Sequence, residues 1–283
     1  MSTFQIALYP GDGIGQEVTD EAVRVLERAE QEIGGFSLSF ERFDWGCDHY
    51  DRHGIVAPDD FIDILRPFDA IFIGAIGFPP RLPDHITLRP IIRIRQAFDQ
   101  YACVRPASRM TGVRSLLSDP GPIDMIVVRE NSEGEYLSSG GRLKQGTPDE
   151  VAIQTAIHTR RGIERVLRFG FDLARTRRKH LTMVTKSNAL TYGYVLWDEV
   201  HDHVATDYPD IVTDRQHIDA VAMNFVRQPS QFDVVVASNL FGDILTDLSG
   251  AITGSLGLNP SANLNPDRTC PSLFEPVHGS APD

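Results

Sequence analysis

Cysteine is scarce. Cys47, Cys103 and Cys270 are the only three in 283 residues, odd in number and far apart. They make neither a disulfide framework nor a zinc knuckle, and a reducing cytoplasm is the simplest setting. Positive charge is also short: 27 Lys and Arg against 39 Asp and Glu leave a net charge of -12. A nucleic-acid partner asks for a basic stripe, so none is expected. The longer apolar runs, such as "AIFIGAIGF" and "FDVVVA", fall far short of a bilayer span, and no membrane partner is expected. The N-terminus passes almost directly into "FQIALY", without the basic and apolar segments of a secretory signal.

A further absence is a glycine at position 16. The opening run "IALYPGDGIGQEV" carries Gly11, Gly13 and Gly15 after a strand-like stretch, as a dinucleotide fingerprint would. G-x-G-x-x-G, however, needs its third glycine where Gln16 stands, so that the helix can pack close. Glu41 and Asp44, in an ambiguous polar stretch, do not settle whether an acidic partner closes a second strand. The run is therefore read as a glycine turn needing positive φ, with any cofactor site elsewhere.

With 41% hydrophobic and 23% charged residues, the chain is long enough for two domains. Strand-like and helix-like segments alternate. "FQIALY" precedes an amphipathic stretch from Ile14 to about Glu32, and "FSLSFERF" reads as a strand. "PDDFIDILR" follows, with Pro58 at a helix start, and "DAIFIGAIG" is a buried strand. "IDMIVVRE", "HLTMVTK" and "FDVVVASN" are short β-branched runs with polar ends. "EVAIQTAIHT" alternates for ten residues and predicts a two-sided antiparallel strand. Helices are predicted over 161–175, 190–203 and 217–227. The alternation predicts an α/β fold with one antiparallel addition, and a domain boundary is placed near Tyr101 to Arg105.

In such folds ligands gather at the carboxyl ends of strands. Three runs end there at Arg129-Glu130, Lys186-Ser187-Asn188 and Ser238-Asn239 before "LFGDILTD". Asp243 and Asp247 are four apart, so on a helix both carboxylates share a face and reach one hard divalent cation. The alternative is a pair of acids at a helix N-terminus. Arg95, Arg105 and Arg129 are candidates to grip carboxylates with their planar forks, or surface ion-pair partners. Tyr136 is a proton donor or a packing residue; Lys186 is a base, if its pKa is lowered, or an ordinary strand-end lysine.

"PGDGIGQEV", "FDQYACVRP", "VVRENSEGEY", "TKSNA", "QHIDAVAMNFV", "ASNLFGDILTDL" and "SLFEPVHGSAPD" together resemble the metal-dependent β-decarboxylating dehydrogenases of the isocitrate/isopropylmalate dehydrogenase family, in family order. "WGCDHY", "PDHITL" and "FDQY" look most like its tartrate/D-malate branch. The resemblance implies a two-domain isopropylmalate-dehydrogenase-like fold with mixed sheets and a non-Rossmann NAD site. It places a cofactor-side domain at 1–103 and 257–283 and a substrate and dimerisation domain at 104–256.

By the same resemblance, Arg95, Arg105 and Arg129 would hold the substrate carboxylates of a (2R)-hydroxy diacid such as D-malate or tartrate. Asp243 and Asp247 of one subunit, with Asp219 of the other, would hold Mg2+ or Mn2+ in a homodimer with a shared active site. Lys186, from the neighbouring subunit, would help remove the hydroxyl proton; Tyr136 would protonate the carbon left by carbon dioxide. NAD would lie against His278, the amides of Gly279, Ser280 and Ala281, Glu275 at the nicotinamide ribose, and Asn188. Asp283 would accept hydrogen bonds from the adenosine ribose and favour NAD over NADP.

Two departures accompany the likeness. The chain has Arg89-Pro90 where the branch has a Trp-Gly turn, so the helix start should shift, and Arg89 either faces the distal carboxyl or points to solvent. Relatives also continue beyond the position of Asp283, so the C-terminal part of the cofactor-side domain is expected to be missing. Alternatives are a dehydrogenase of 3-isopropylmalate or another 3-substituted malate, and a truncated, catalytically silent relative. A magnesium-dependent hydrolase would leave "HGSAPD" without purpose.

Overall fold

The computed structural model of the chain describes residues 2–254 and 256–282. Two compact units are present: Met1–Gln100 with Leu256–Asp283, and Tyr101–Ser255. The first begins with β1 (Ser2–Gly11), α1 (Gly15–Ile33), β2 (Phe36–Arg42), α2 (Cys47–His53), α3 (Phe61–Leu65) and β3 (Ala70–Ala75). The stretch "PDHITLRPIIRIRQA" divides into α4 (Asp84–Thr87) and α5 (Arg89–Ala97). Proline at the start of α5 is the reason: it has no N–H to give to a preceding turn and a φ suited to a first turn. Pro90 is buried and Arg89 is exposed.

The second unit runs β4 (Ala102–Ser108), β5 (Asp124–Glu130), β6 (Gly140–Leu143), β7 (Val151–Gln154), α6 (Arg160–Arg175), β8 (His180–Thr185), α7 (Gly193–Ala205), β9 (Val212–His217), α8 (Ile218–Arg227), β10 (Val234–Ala237) and α9 (Asn239–Thr253). Its main sheet has the order β4-β5-β10-β8-β9. Only the β4–β5 pair is antiparallel; the other pairs are parallel. The carboxyl ends of β5, β10 and β8 therefore share one sheet edge. Val234, Val235 and Val236 are wholly buried, as a central parallel strand covered on both faces requires. Helix α6 turns Ile163, Val166, Leu167, Phe171 and Ala174 inward at helical spacing. Gly170 lets it approach the sheet, since a Cβ there would stand 2.4 Å from Val236 Cγ2.

The chain returns to the first unit with β11 (Pro260–Leu264) and β12 (Ser272–Pro276). That unit's strands order as β2-β1-β3-β12-β11, parallel except for the β11–β12 pair. Each unit thus carries a mixed sheet. No helix among the described residues is long and apolar enough to cross a membrane.

Two sequence expectations need correction. The ten-residue strand from Glu150 shrinks to the four residues of β7, paired antiparallel with β6 as an isolated hairpin exposed along both strands. Alternation predicts a strand but cannot supply the sheet that would bury one face. Strand β9, "VTDRQH", was not expected at all: it is a polar edge strand, half covered at most, with no apolar signal.

Candidate active site

In the second unit, charge converges on Asp243. Arg105 projects from β4 and Arg129 from β5, both buried, while Asp243 and Asp247 follow each other by one turn on α9. Arg129 is 1% exposed. A guanidinium so far from water is tolerable only when its donors are taken up. Its Nε and Nη2 donate to Asn239 Oδ1 at 2.9 and 2.7 Å, and its Nη1 donates to Asp243 Oδ1. Its Cζ lies 5.1 Å from the centre of the Tyr136 ring.

Arg105 Nη1 donates to Thr246 Oγ1 at 2.7 Å and to Asp243 Oδ1 at 3.2 Å. The second oxygen of Asp243 accepts from the Tyr136 hydroxyl at 2.6 Å. Asp247 is more exposed. Partial desolvation, reinforced by the Asp243 carboxylate, holds its pKa above the usual carboxylate range.

Gly242 is the residue that permits this packing: a Cβ on it would stand 2.6 Å from Arg129 Cβ. Asn239, Gly242 and Thr246 had no role assigned from the sequence. Their spacing from Asp243 on one helix was the available signal, but it did not say which side chain lay opposite.

Lys186 and Asp219 make a separate pair in the same unit. Lys186 stands in the turn after β8 and donates through Nζ to Asp219 Oδ1 at 2.9 Å, in the first turn of α8. That hydrogen bond holds the Asp219 carboxyl below its ordinary range. Asn188 is exposed in the same turn. Among the described residues of a single chain, no group of three His, Cys, Asp or Glu side chains is placed to hold a metal ion. Asp219 therefore does not join Asp243 and Asp247 within one chain.

Arg95 belongs to the first unit, on the buried face of α5. Its Nη2 donates to Glu275 Oε1 at 2.9 Å, an oxygen that also accepts from Asn263 Nδ2 at 2.7 Å. The Arg95 Nε is buried without a hydrogen-bond partner among the described residues. Beyond Glu275, His278 Nδ1 contacts Gly279 O at 2.8 Å, and Gly279 has open space where a side chain would be. Ser280 is buried; Ala281 is exposed, with φ +49°. Asp283 lies outside the described residues.

A family model described as isocitrate/isopropylmalate dehydrogenase matches residues 5–283. The chain belongs to the isocitrate/isopropylmalate dehydrogenase family. Within it, the chain is 54% identical over 288 residues to the D-malate dehydrogenase [decarboxylating] of Escherichia coli strain K12, covering all of this chain and 80% of that protein. It is 51% identical over 284 residues to a probable tartrate dehydrogenase/decarboxylase of Bacillus subtilis strain 168, again covering 80% of the relative. Among solved structures, isocitrate dehydrogenase from Methylococcus capsulatus is 37% identical with a TM-score of 0.88, over 99% of this chain and 79% of that one. The α/β architecture with mixed sheets is the isopropylmalate-dehydrogenase-like fold of this dehydrogenase family.

Proposed function

We propose that the chain is an NAD- and divalent-metal-dependent dehydrogenase that oxidises a (2R)-hydroxy diacid such as D-malate or tartrate, with or without loss of the β-carboxylate. One observation carries the reading: Arg105, Arg129 and Tyr136 all converge on Asp243, with Asp247 one turn away. Buried guanidinium forks suit the carboxylates of a small dianion. The names of the relatives agree in substrate class.

The acids fit a hard cation, because Asp243 and Asp247 offer carboxylate oxygens on one helix face and the second is held above its ordinary pKa beside the first. Mg2+ or Mn2+ at these residues, with Asp219 of a second copy, would supply Lewis acidity at the substrate's hydroxyl oxygen. Arg95, Arg105 and Arg129 would fix the carboxylates, the orphaned Nε of Arg95 gaining an acceptor. Lys186 of the second copy would help remove the hydroxyl proton, NAD would supply the hydride acceptor, and Tyr136 would return a proton through Oη to the carbon that loses carbon dioxide. His278, Gly279, Ser280, Ala281, Asn188 and Glu275 would hold NAD, with Asp283 at the adenosine ribose.

A second copy is part of the reading. The hairpin leaves Leu143 61% and Ile153 53% exposed, and Met223 on α8 and Ile244 on α9 are 48% and 53% exposed. On this reading, these side chains would meet the second copy. Lys186 and Asp219 would then serve the partner's site.

The test is NADH formation, read by absorbance, from protein, NAD and Mn2+ with a panel of D-malate, tartrate and 3-isopropylmalate. D-malate or tartrate should give NADH, and a chelator should abolish it. Turnover of 3-isopropylmalate alone would refute the substrate assignment, and turnover of none would refute the reading as a whole.

A further inference from the structure

Asn239 is 3% exposed and is the first residue of α9, separated from β10 by Ser238 alone. Its side-chain amide is held at both ends. Oδ1 accepts from Nε and Nη2 of Arg129 at 2.9 and 2.7 Å, and Nδ2 donates to the Glu133 carbonyl at 2.8 Å. This pairing fixes which way round the amide lies, since the reverse would set donors against the guanidinium and oxygen against the carbonyl. Two donors on one side of Arg129 are thereby committed to a neutral acceptor. Nη1 is the nitrogen that reaches Asp243.

The choice of amide over carboxylate matters for charge. Arg105 and Arg129 both pair with Asp243, and both guanidiniums are buried. A carboxylate at 239 would set a further negative charge against Arg129 and would place an oxygen against the Glu133 carbonyl. An amide orients the guanidinium without neutralising it.

We propose that Asn239 is a positioning residue for the diacid substrate, setting the plane of Arg129 and preserving its charge. The inference rests on the reading of Arg129 as a carboxylate-binding cation. It requires no contact between Asn239 and substrate.

The test compares Asn239→Asp, Asn239→Ser and Arg129→Lys in the full chain, reading kcat, the KM for D-malate, the KM for NAD and the thermal midpoint. A charge-assisted hydrogen bond lost or neutralised corresponds to about tenfold in affinity. Asn239→Asp should raise the D-malate KM by about tenfold or more while the NAD KM stays within about twofold. Asn239→Ser, neutral but too short for the fork, should raise it by less. A purely structural role would instead lower the midpoint and shift both KM values together, which overturns the inference. Binding of malonate, an inert dianion, measured by thermal shift should weaken in the same order and needs no turnover. If Arg129→Lys weakens D-malate and malonate but the Asn239 variants do not, the inference fails and the reading of Arg129 stands. If Arg129→Lys changes neither, that reading fails, and the inference with it. Should Asn239→Asp not fold, Asn239→Ser decides by the same criterion.

Discussion

Gly13 and Ser280 pack so closely that a Cβ on the glycine would stand 2.3 Å from the serine carbonyl oxygen. The same oxygen accepts from the Ile14 N–H at 3.0 Å, and the Ser280 hydroxyl donates to the Gly77 carbonyl. Asp12 ties the turn down: its two oxygens accept from Cys47 N at 2.7 Å and Gly77 N at 2.9 Å. The glycine run that imitates a dinucleotide fingerprint is thus the seat of the loop proposed to hold NAD. Gly13→Ala adds an overlap at φ +52°, where a side chain is also strained. It should cost about 1–3 kcal/mol in stability. The NAD KM should rise several-fold while the diacid KM changes little, as steady-state kinetics and denaturant unfolding would show.

Tyr136→Phe keeps the ring beside Arg129 and removes only the hydroxyl that donates to Asp243. General-acid catalysis contributes roughly 10²–10⁴-fold, so kcat for oxidative decarboxylation should fall by about that range with a smaller effect on KM. An unchanged kcat would show that Tyr136 is not the proton donor.

Asp233 is wholly buried and accepts from Arg177 Nε at 2.8 Å and from the Arg178 N–H at 2.8 Å. It ties the segment after α6 to the start of β10. Asp233→Ala leaves the Arg177 guanidinium and the Arg178 N–H without that acceptor, and breaking a buried pair costs about 3–5 kcal/mol. Urea unfolding should show a loss of that order.

His201 is 4% exposed, its ring tilted against Phe171 and hydrogen-bonded through Nε2 to Thr213 Oγ1 at 2.8 Å. Burial pulls its pKa down, against the opposing influence of Asp202. Below about pH 6.5 the unfolded chain therefore binds a proton that the folded chain resists. Its contribution is fully present above that pH and declines as pH falls below it. Thermal midpoints measured from pH 8 to pH 5 should drop at the acid end, and His201→Gln should flatten that part of the curve.

Legibility in the sequence followed the reach of each signal. The runs of β5, β8 and β10 announced buried strands because apolar β-branched residues there have no other stable place. The hairpin β6–β7 was overextended, since alternation from Val151 continues past the point where a partner strand ends. Strand β9 was missed because its pairing with β8, Thr182 opposite Asp214, is a property of the neighbour and not of "VTDRQH" itself.

The alternation of strands and helices, the i, i+4 acids on α9 and the arginines and lysine at strand ends were determined by the sequence alone, because periodicity and chain polarity are local. Only tertiary structure decided that Asn239 lies under Arg129, that Gly242 must yield to its stem, that Arg95 is matched to Glu275, and that Gly13 carries Ser280. Those relations join residues distant in the chain, where sterics and the need to pair buried charge choose the partner and no local pattern records it.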